Sequence, residues 1–217
     1  GADLPADRLR EDFDAVLLAT GARRPRDLDV PGRTSAGVVQ AMDFLRAESG
    51  ATAERAPPMG AALKDKSVVV LGAGLTGEVC VLEAVRNGAR SVQQLEILPE
   101  SASAAHLDGV DAPAESVTRR WCVTAKAFHG NGHALESLEA VRVEHVPSPA
   151  GRQVREVAGS RFTLDADLAL LALGFEAECP RELAEQLQLE RDDAGRIVLD
   201  EFATSTPGVF VCGDLLN

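Results

Sequence analysis

The chain has 217 residues, 45% of them hydrophobic, and its 34 acidic and 22 basic side chains give a formal net charge of −12. A charge of that sign argues against a nucleic-acid or anionic-membrane surface, because both recruit lysine and arginine. No apolar run approaches the roughly 18 residues that a membrane-spanning helix requires, and the first residues lack the apolar core of a signal peptide. We therefore expect a globular, cytoplasmic or organelle-lumenal protein that binds neither nucleic acid nor membrane.

The cysteines are widely spaced and form no Cys-x-x-C pair; they are Cys80, Cys122, Cys179 and Cys212. This spacing favours reduced structural thiols over a redox disulfide or a metal site. His129 and His133 are close in sequence, but the Gly130-Asn131-Gly132 between them predicts a turn that would not present both rings to one zinc ion. We expect no metal ligands in this chain.

The first predicted element is a short buried strand over 13–18 that ends in Ala19-Thr20-Gly21. Prolines and a glycine predict a loop over 27–32. Residues 37–46 have the apolar spacing of a helix, and the small residues and prolines over 47–63 predict a linker.

A strand, a glycine loop and a helix are predicted next, in direct succession. Residues 67–71 (SVVVL) are mostly β-branched and apolar, as is typical of a central parallel strand covered on both faces. The loop reads Gly72-Ala73-Gly74-Leu75-Thr76-Gly77, and the helix predicted after it stops at Asn87-Gly88. A second strand over 91–98 completes a β-α-β unit.

This loop matches the dinucleotide-binding fingerprint G-x-G-x-x-G in its expected context. Gly72 permits a tight exit from the strand, Gly74 lets the backbone approach a pyrophosphate, and Gly77 lets helix and strand pack closely. The helix N-terminus would offer its N–H groups to phosphate oxygens. The alternative is a plain turn at the start of a helix.

Glu96 lies 19 positions after Gly77, near the end of the second strand. The fingerprint expects an acid there, which accepts hydrogen bonds from the adenine ribose. Because a carboxylate repels a 2′-phosphate, Glu96 favours NADH over NADPH. The alternative is that Glu96 is a solvated charge at the end of a strand.

The second half of the chain predicts further strands. Residues 99–116 have little periodicity and predict a loop, whereas 121–146 read as strand, turn and strand, which predicts an antiparallel meander. Residues 165–175 (DADLALLALGF) then repeat the pattern of 12–22 (DFDAVLLATGA), so that Gly174 takes the place of Gly21.

The end of the chain combines a helix, a strand and a glycine turn. We expect the helix over 180–187, a strand near 196–200, and a last strand that ends in Gly213-Asp214. After a buried strand, such a carboxylate can hold a ribityl hydroxyl of a flavin. The alternative is an ordinary turn, because Gly and Asp are common turn formers.

Together these segments resemble the small (beta) subunit of glutamate synthase and its relatives, which include the electron-input part of dihydropyrimidine dehydrogenase. The resemblance rests on FDAVLLATGARRPRDLDVPG followed by AMDFL, VVVLGAGLTGEVC, SVQQLEILPE, RRWCVTAKAFHG, FTLDADLALLALGF and FATSTPGVFVCGD. Their order matches that family, in which an NAD(P)H domain is inserted between two halves of an FAD domain.

The resemblance implies an α/β fold: a Rossmann-like NAD(P)-binding domain over 64–175 with an appended antiparallel β-meander, flanked by partial FAD-domain segments over 1–50 and 176–217. Thr20-Gly21 and Gly174 would be the crossovers between domains, and Gly213-Asp214 the returning FAD contact. No catalytic side chain is expected, because hydride transfer between cofactors needs no protein acid or base.

The resemblance also implies an activity: hydride transfer from NAD(P)H to FAD in the full-length protein. Electrons would pass through iron-sulfur clusters outside this chain to a glutamate synthase large subunit or domain, which makes glutamate from glutamine and 2-oxoglutarate. The chain starts after the place where the family's FAD glycine loop belongs, so we expect an electron-input fragment that needs the remainder of the FAD domain and is inactive alone.

Two other functions stay open at this point. The family's loop usually reads Gly-Gly-Gly-Asp-Thr-Gly, whereas Ala73 and Leu75 replace two of those residues here. A nucleotide-binding or assembly domain without turnover would fit this change. The reductase part of a related flavoprotein with another electron acceptor would fit the other motifs equally well.

Overall fold

The structure is a computed structural model that describes residues 4–48, 63–102, 117–131, 134–148, 151–193 and 195–216. The chain divides into two compact units. The terminal unit consists of Gly1–Arg26 and Phe175–Asn217, and the inserted unit of Asp27–Gly174. No helix among the described residues is long and apolar enough to cross a membrane.

In chain order the elements are α1 (Ala6–Asp12), β1 (Val16–Leu18), β2 (Arg24–Pro25), β3 (Val38–Gln40), α2 (Ala41–Glu48), β4 (Ser67–Leu71), α3 (Leu75–Arg86), β5 (Ser91–Glu96), β6 (Val117–Trp121), β7 (Val123–Gly130), β8 (Leu135–Ser148), β9 (Gly151–Glu156), β10 (Phe162–Asp165), β11 (Leu168–Leu171), β12 (Phe175–Glu176), α4 (Arg181–Gln186), β13 (Leu199–Asp200), β14 (Ala203–Thr204) and β15 (Val209–Val211). Short 3₁₀ turns lie at Glu100–Ala102 and Gly213–Leu216.

The inserted unit is built on a parallel sheet with the strand order β3-β11-β4-β5-β6. Every residue of β4 is buried, as its uniform apolar sequence predicts for a central strand. Because side chains alternate along a strand, Val68 and Val70 face a core shared with α2 and α3. Val69 and Leu71 belong to the other core, on the side of the antiparallel strands. The sheet is therefore the middle of three layers.

The predicted antiparallel meander is confirmed. Strands β7 and β8 pair antiparallel, β10 pairs with the first part of β8, and β9 pairs with its last part. Phe128 and Leu138 are buried against the parallel sheet in one apolar cluster. Residues 132 and 133 of the predicted turn lie outside the described part of the chain.

The terminal unit contains a small sheet with the order β1-β15-β14-β13, in which β1 and β15 are parallel. Val16, Leu18, Val209 and Val211 are buried on one face, together with residues of α1 and α4 such as Ala6 and Ala184. Separately, β2 and β12 form an antiparallel pair. The two repeated motifs thus continue into strands that pair with each other.

Several predicted boundaries differ from the structure. The first predicted segment ran to residue 50, but the inserted unit begins at Asp27, because β3 pairs with β11 of the parallel sheet. The helix predicted over 37–46 starts only at Ala41 for the same reason: Val38 and Val39 are β-branched and are hydrogen-bonded into that sheet. The second predicted boundary, at residue 175, lies next to the observed end of the inserted unit at Gly174.

Other elements are shorter than predicted. The strand predicted over 13–18 covers Val16–Leu18, and the one over 91–98 ends at Glu96. Within the repeated motif at 165–175, the apolar strand is β11, and Asp165 and Phe175 at its two ends belong to β10 and β12. The loop predicted over 99–116 contains one 3₁₀ turn at its start, and residues 103–116 lie outside the described part, as do residues 49–62 of the predicted linker.

The Asp167 carboxylate, directly before β11, links this strand to the start of β4 by hydrogen bonds. It accepts hydrogen bonds from the Ser67 N–H at 2.8 Å and from Lys66 Nζ at 3.1 Å. Partial burial raises the pKa of Asp167, but these hydrogen bonds and the charges of Lys66 and Arg90 outweigh it and hold the pKa below its usual value of 3.8.

A lowered carboxyl pKa makes the folded state sensitive to acid. The stabilisation from Asp167 is complete above the ordinary pKa of 3.8 and is lost as the pH falls through the lower pKa of the folded state. On acidification, the free energy of unfolding of Asp167→Asn should fall less than that of the wild-type chain. Urea unfolding at neutral pH and at about pH 3 measures both losses. The matched control is Asp165→Asn, at an exposed aspartate. Equal acid sensitivity in Asp167→Asn and the wild-type chain would contradict this assignment.

Candidate functional site

The glycine loop joins the buried strand β4 to helix α3. The helix begins at Leu75, inside the loop and not after Gly77 as predicted, so Leu75, Thr76 and Gly77 lie in its first turn. Gly72 has a φ of +111°, in the region that favours glycine. A Cβ atom on Gly72 would also lie 2.2 Å from the carbonyl oxygen of Ala172. The tight exit from the strand therefore requires glycine.

The other two glycines of the loop differ in their surroundings. A Cβ atom on Gly77 would lie 2.1 Å from the carbonyl oxygen of Gly72, so only glycine lets α3 pack this close to the end of β4. Gly74 has an ordinary φ of −75° and is exposed, and a Cβ atom added there would meet no other atom within 4 Å. Packing within the protein thus explains glycine at 72 and 77 but not at 74, where the backbone is open to a ligand.

Glu96 ends β5 next to this loop. One carboxylate oxygen accepts a hydrogen bond from the Ala73 N–H at 2.7 Å, and the other accepts one from the Leu98 N–H at 2.9 Å. Each carboxylate oxygen has a second lone pair, so both can still accept a ligand hydroxyl. The structure therefore brings Glu96 and the glycine loop together, as the fingerprint predicts.

The surface of the loop is apolar at the position where the family pattern has aspartate. The Leu75 side chain is 60% exposed and offers no hydrogen bond. Ile97 and Leu98, which follow Glu96, are also exposed. Any ligand at this loop would meet backbone N–H groups, the Glu96 carboxylate and exposed apolar side chains.

A buried polar network beneath the loop was not predicted from the sequence. Glu78 and Gln94 are both buried, and they are joined to each other and to Arg119 by hydrogen bonds. The signal that could have revealed it is Gln94, a polar residue at a buried strand position, two residues after the buried Val92.

The motifs of the terminal unit also meet. Because β1 and β15 are parallel neighbours, Thr20-Gly21 and Gly213-Asp214 follow them at the same edge of the sheet, and the Cys212 N–H donates to the Leu18 carbonyl at 3.0 Å. Thr20 Oγ1 is buried without a hydrogen-bond partner among the described residues. Gly21 and Gly213 have positive φ and no atom within 4 Å of a Cβ position. A buried, unsatisfied hydroxyl next to the open turn at Gly21 fits a polar ligand.

Gly174 lies in the inserted unit, after β11. Since β11 is the parallel neighbour of β4, Gly174 follows the sheet edge that also carries the glycine loop. Its φ of +81° favours glycine, and no atom lies within 4 Å of its Cβ position.

The cysteines are free thiols. Burial, with the nearby Glu83 charge, raises the pKa of Cys80 to about 12, and burial also raises the pKa of Cys179. Neither thiol would be reactive at neutral pH. Within the described ranges, no group of three or more His, Cys, Asp or Glu side chains could hold a metal ion.

A glycine loop between a central parallel strand and a helix is typical of dinucleotide-binding proteins, and the comparison with protein families identifies an oxidoreductase family. The chain belongs to the pyridine nucleotide-disulphide oxidoreductase family, whose family model matches residues 6–217. Among curated proteins it is 37% identical to the glutamate synthase [NADPH] small chain of Mycobacterium tuberculosis, over 99% of this chain and 47% of that protein. It is 31% identical to the glutamate synthase [NADH] of Schizosaccharomyces pombe, over 98% of this chain and 11% of that protein.

The chain spans about half the length of the small chains it matches. Among solved structures it is similar to Mycobacterium tuberculosis FprA in complex with NADPH, with a TM-score of 0.69 and 19% identity over 96% of this chain and 59% of that chain. It is also similar to Lactococcus lactis thioredoxin reductase, with a TM-score of 0.58 and 20% identity over 93% and 57%. At these identities the likeness is one of fold.

The contrast between Gly77 and Gly74 predicts different costs for the same substitution. Gly77→Ala should lower the free energy of unfolding by about 3 kcal/mol, because its methyl group overlaps a backbone oxygen that cannot move freely. Gly74→Ala should cost less than about 1 kcal/mol, the typical scale of a change at a helix N-cap. Chemical unfolding of both variants provides the measurement, and an equal loss in the two would contradict the packing described here.

Proposed function

We propose that this chain is the nucleotide-accepting part of the electron-input subunit of a glutamate-synthase-type oxidoreductase, and that it binds NAD(P)H at Gly72–Gly77. The observation that carries the proposal is the open backbone at Gly74, between two glycines that packing requires. A loop shaped only by packing would have no need of glycine at this position.

In this proposal the pyrophosphate lies against Gly74 and the first turn of α3. The N–H groups of a first helical turn have no partner within the helix, and the helix dipole makes them attractive to anions. Leu75 and Thr76 supply backbone groups of this kind. Ala73 takes a different part, because its N–H donates to Glu96 and so fixes the carboxylate beside the loop.

We assign the adenine ribose to Glu96 and therefore NADH as the preferred cofactor. The carboxylate can accept hydrogen bonds from ribose hydroxyls and would repel a 2′-phosphate. Relatives of this chain are named for either cofactor, the Mycobacterium tuberculosis small chain for NADPH and the Schizosaccharomyces pombe enzyme for NADH. The placement of Glu96 supports the second choice here.

The terminal unit is proposed to contribute to an FAD site. Thr20 Oγ1 and the open turns at Gly21 and Gly213 would contact the flavin nucleotide, and Asp214 would accept a ribityl hydroxyl. Gly21 and Gly174 would lie where the chain passes from one domain to the other. When both cofactors are bound, NAD(P)H supplies a hydride and FAD accepts it. The residues of this chain bind and orient, and none is assigned as an acid or base.

The longer protein would complete this function. We propose that the remainder of the FAD domain and the iron-sulfur clusters lie outside this chain, and that a glutamate synthase large subunit or domain receives the electrons for glutamate synthesis. The length of the matched small chains supports this, since the chain spans about half of them. The free, widely spaced cysteines favour a reducing compartment such as the cytoplasm.

A second candidate function is favoured by Leu75. An exposed leucine where the family pattern has aspartate removes one polar contact from the loop. A domain that binds nucleotide for assembly, without turnover, would tolerate that loss. Binding of NADH and reduction of a flavin by the full-length protein are therefore separate tests.

Thermal or chemical unfolding of the 217-residue chain with added nucleotide tests the binding site. A ligand at 100 times its dissociation constant should add about 2.7 kcal/mol to the free energy of unfolding. We expect a larger shift with NADH than with NADPH at equal concentration, and no shift with either for Gly74→Ala. In Glu96→Gln, the gains in unfolding free energy with NADH and with NADPH should differ less than in the wild-type chain. The substitution removes the charge and keeps a hydrogen-bond acceptor for Ala73.

The possible results separate the parts of the proposal. If neither nucleotide raises the free energy of unfolding of the wild-type chain, the proposed binding site is refuted. A larger shift with NADPH would refute the assignment of Glu96 alone. An unchanged shift in Gly74→Ala would place the nucleotide elsewhere.

A further inference from the structure

We propose that Arg119 is a positioning residue for nucleotide binding: it neutralises the buried Glu78 carboxylate beneath the phosphate loop and, through Gln94, fixes the Gly72 carbonyl. This inference rests on the proposed function. Arg119 lies on β6, outside the glycine fingerprint, and would not contact the nucleotide.

The hydrogen bonds of Arg119 join three elements at one point. Its Nη2 donates to Glu78 Oε2 at 2.9 Å, and its Nε donates to Gln94 Oε1 at 2.8 Å. Gln94 Nε2 donates in turn to Glu78 Oε1 at 3.1 Å and to the Gly72 carbonyl at 3.3 Å. Strands β5 and β6, the loop and helix α3 are thereby held in one closed network.

The charge of Glu78 explains why the network needs a cation. Glu78 lies in the first turn of α3, directly after Gly77, and its side chain is 11% exposed. A carboxylate there interacts favourably with the helix dipole but stands close to the place proposed for a pyrophosphate. Unless it is paired, its charge would oppose a second anion, because a buried charge is weakly screened by water. Arg119 supplies the opposite charge.

The shape of the guanidinium group also matters. Arg119 uses two of its nitrogens on two different side chains, a geometry that the single ammonium group of lysine cannot reproduce. Gln94 accepts one of these hydrogen bonds and itself donates one to the Gly72 carbonyl. Arg119 therefore controls both the charge beneath the loop and the position of the loop backbone.

The neighbouring Arg120 gives a matched control. Arg120 lies next to Arg119 on the same strand, but it donates to Gln93 at 3.2 Å and lies over the Phe162 ring at 5.4 Å from the centroid. Gln93 and Gln94 are adjacent on β5, so their side chains point to opposite faces of the sheet. Arg120→Met therefore makes the same change in charge on the other face.

The test compares the dissociation constant of NADH for four proteins by calorimetric titration: the wild-type chain, Arg119→Met, Arg120→Met, and the double variant Glu78→Gln with Arg119→Met. We expect Arg119→Met to weaken NADH binding about tenfold, since it leaves a carboxylate unpaired at the helix N-terminus. The double variant should recover to within about threefold of the wild type, because the uncompensated charge is gone. Arg120→Met should bind as the wild type does.

Each outcome decides a different point. If the wild-type chain binds no NADH, the proposed function fails and this inference fails with it. If the wild type binds but Arg119→Met and Arg120→Met behave alike, or the double variant stays tenfold weaker than the wild type, the role of Arg119 is refuted. Should Arg119→Met not fold, the double variant alone decides, since it must fold and bind NADH.

Discussion

The close approach of Gly77 to the carbonyl oxygen of Gly72 is the constraint on which the site depends. Only the missing side chain at Gly77 lets α3 start directly at the end of β4, where a Cβ atom would lie 2.1 Å from that oxygen. The first turn of the helix therefore lies at the edge of the sheet, and Gly74 is exposed. The same edge receives Glu96 from β5, so the parallel register of β4 and β5 places a carboxylate beside the loop.

Local electrostatics, rather than net charge, make such a loop suited to an anion. The chain carries a formal charge of −12, yet the helix N-terminus offers N–H groups and a partial positive charge. The carboxylate nearest to it in sequence, Glu78, is paired with Arg119. Glu96, which remains available beside the loop, is suited to hydroxyl groups. Phosphate and ribose would thus be recognised by different parts of one small surface.

The sequence predicted what depends on neighbouring residues. Strand β4 and the end of α3 follow from a local apolar pattern and from Asn87-Gly88, and the structure has both where the pattern indicated. Strand β3 was missed because Val38 and Val39 become a strand only by pairing with β11, which is distant in the sequence. The Glu78, Gln94 and Arg119 network was missed for the same reason, since three separate elements must meet to form it.

Binding of a nicotinamide dinucleotide at the glycine loop would change the chemical shifts of the backbone amides there. The ¹⁵N-labelled chain would be titrated with NADH and its backbone amide signals assigned. We expect the largest shifts at Gly74, Leu75 and Thr76, with smaller ones at Ala73 and Glu96. Saturable shifts confined to residues away from this loop, or no shifts at all, would contradict it.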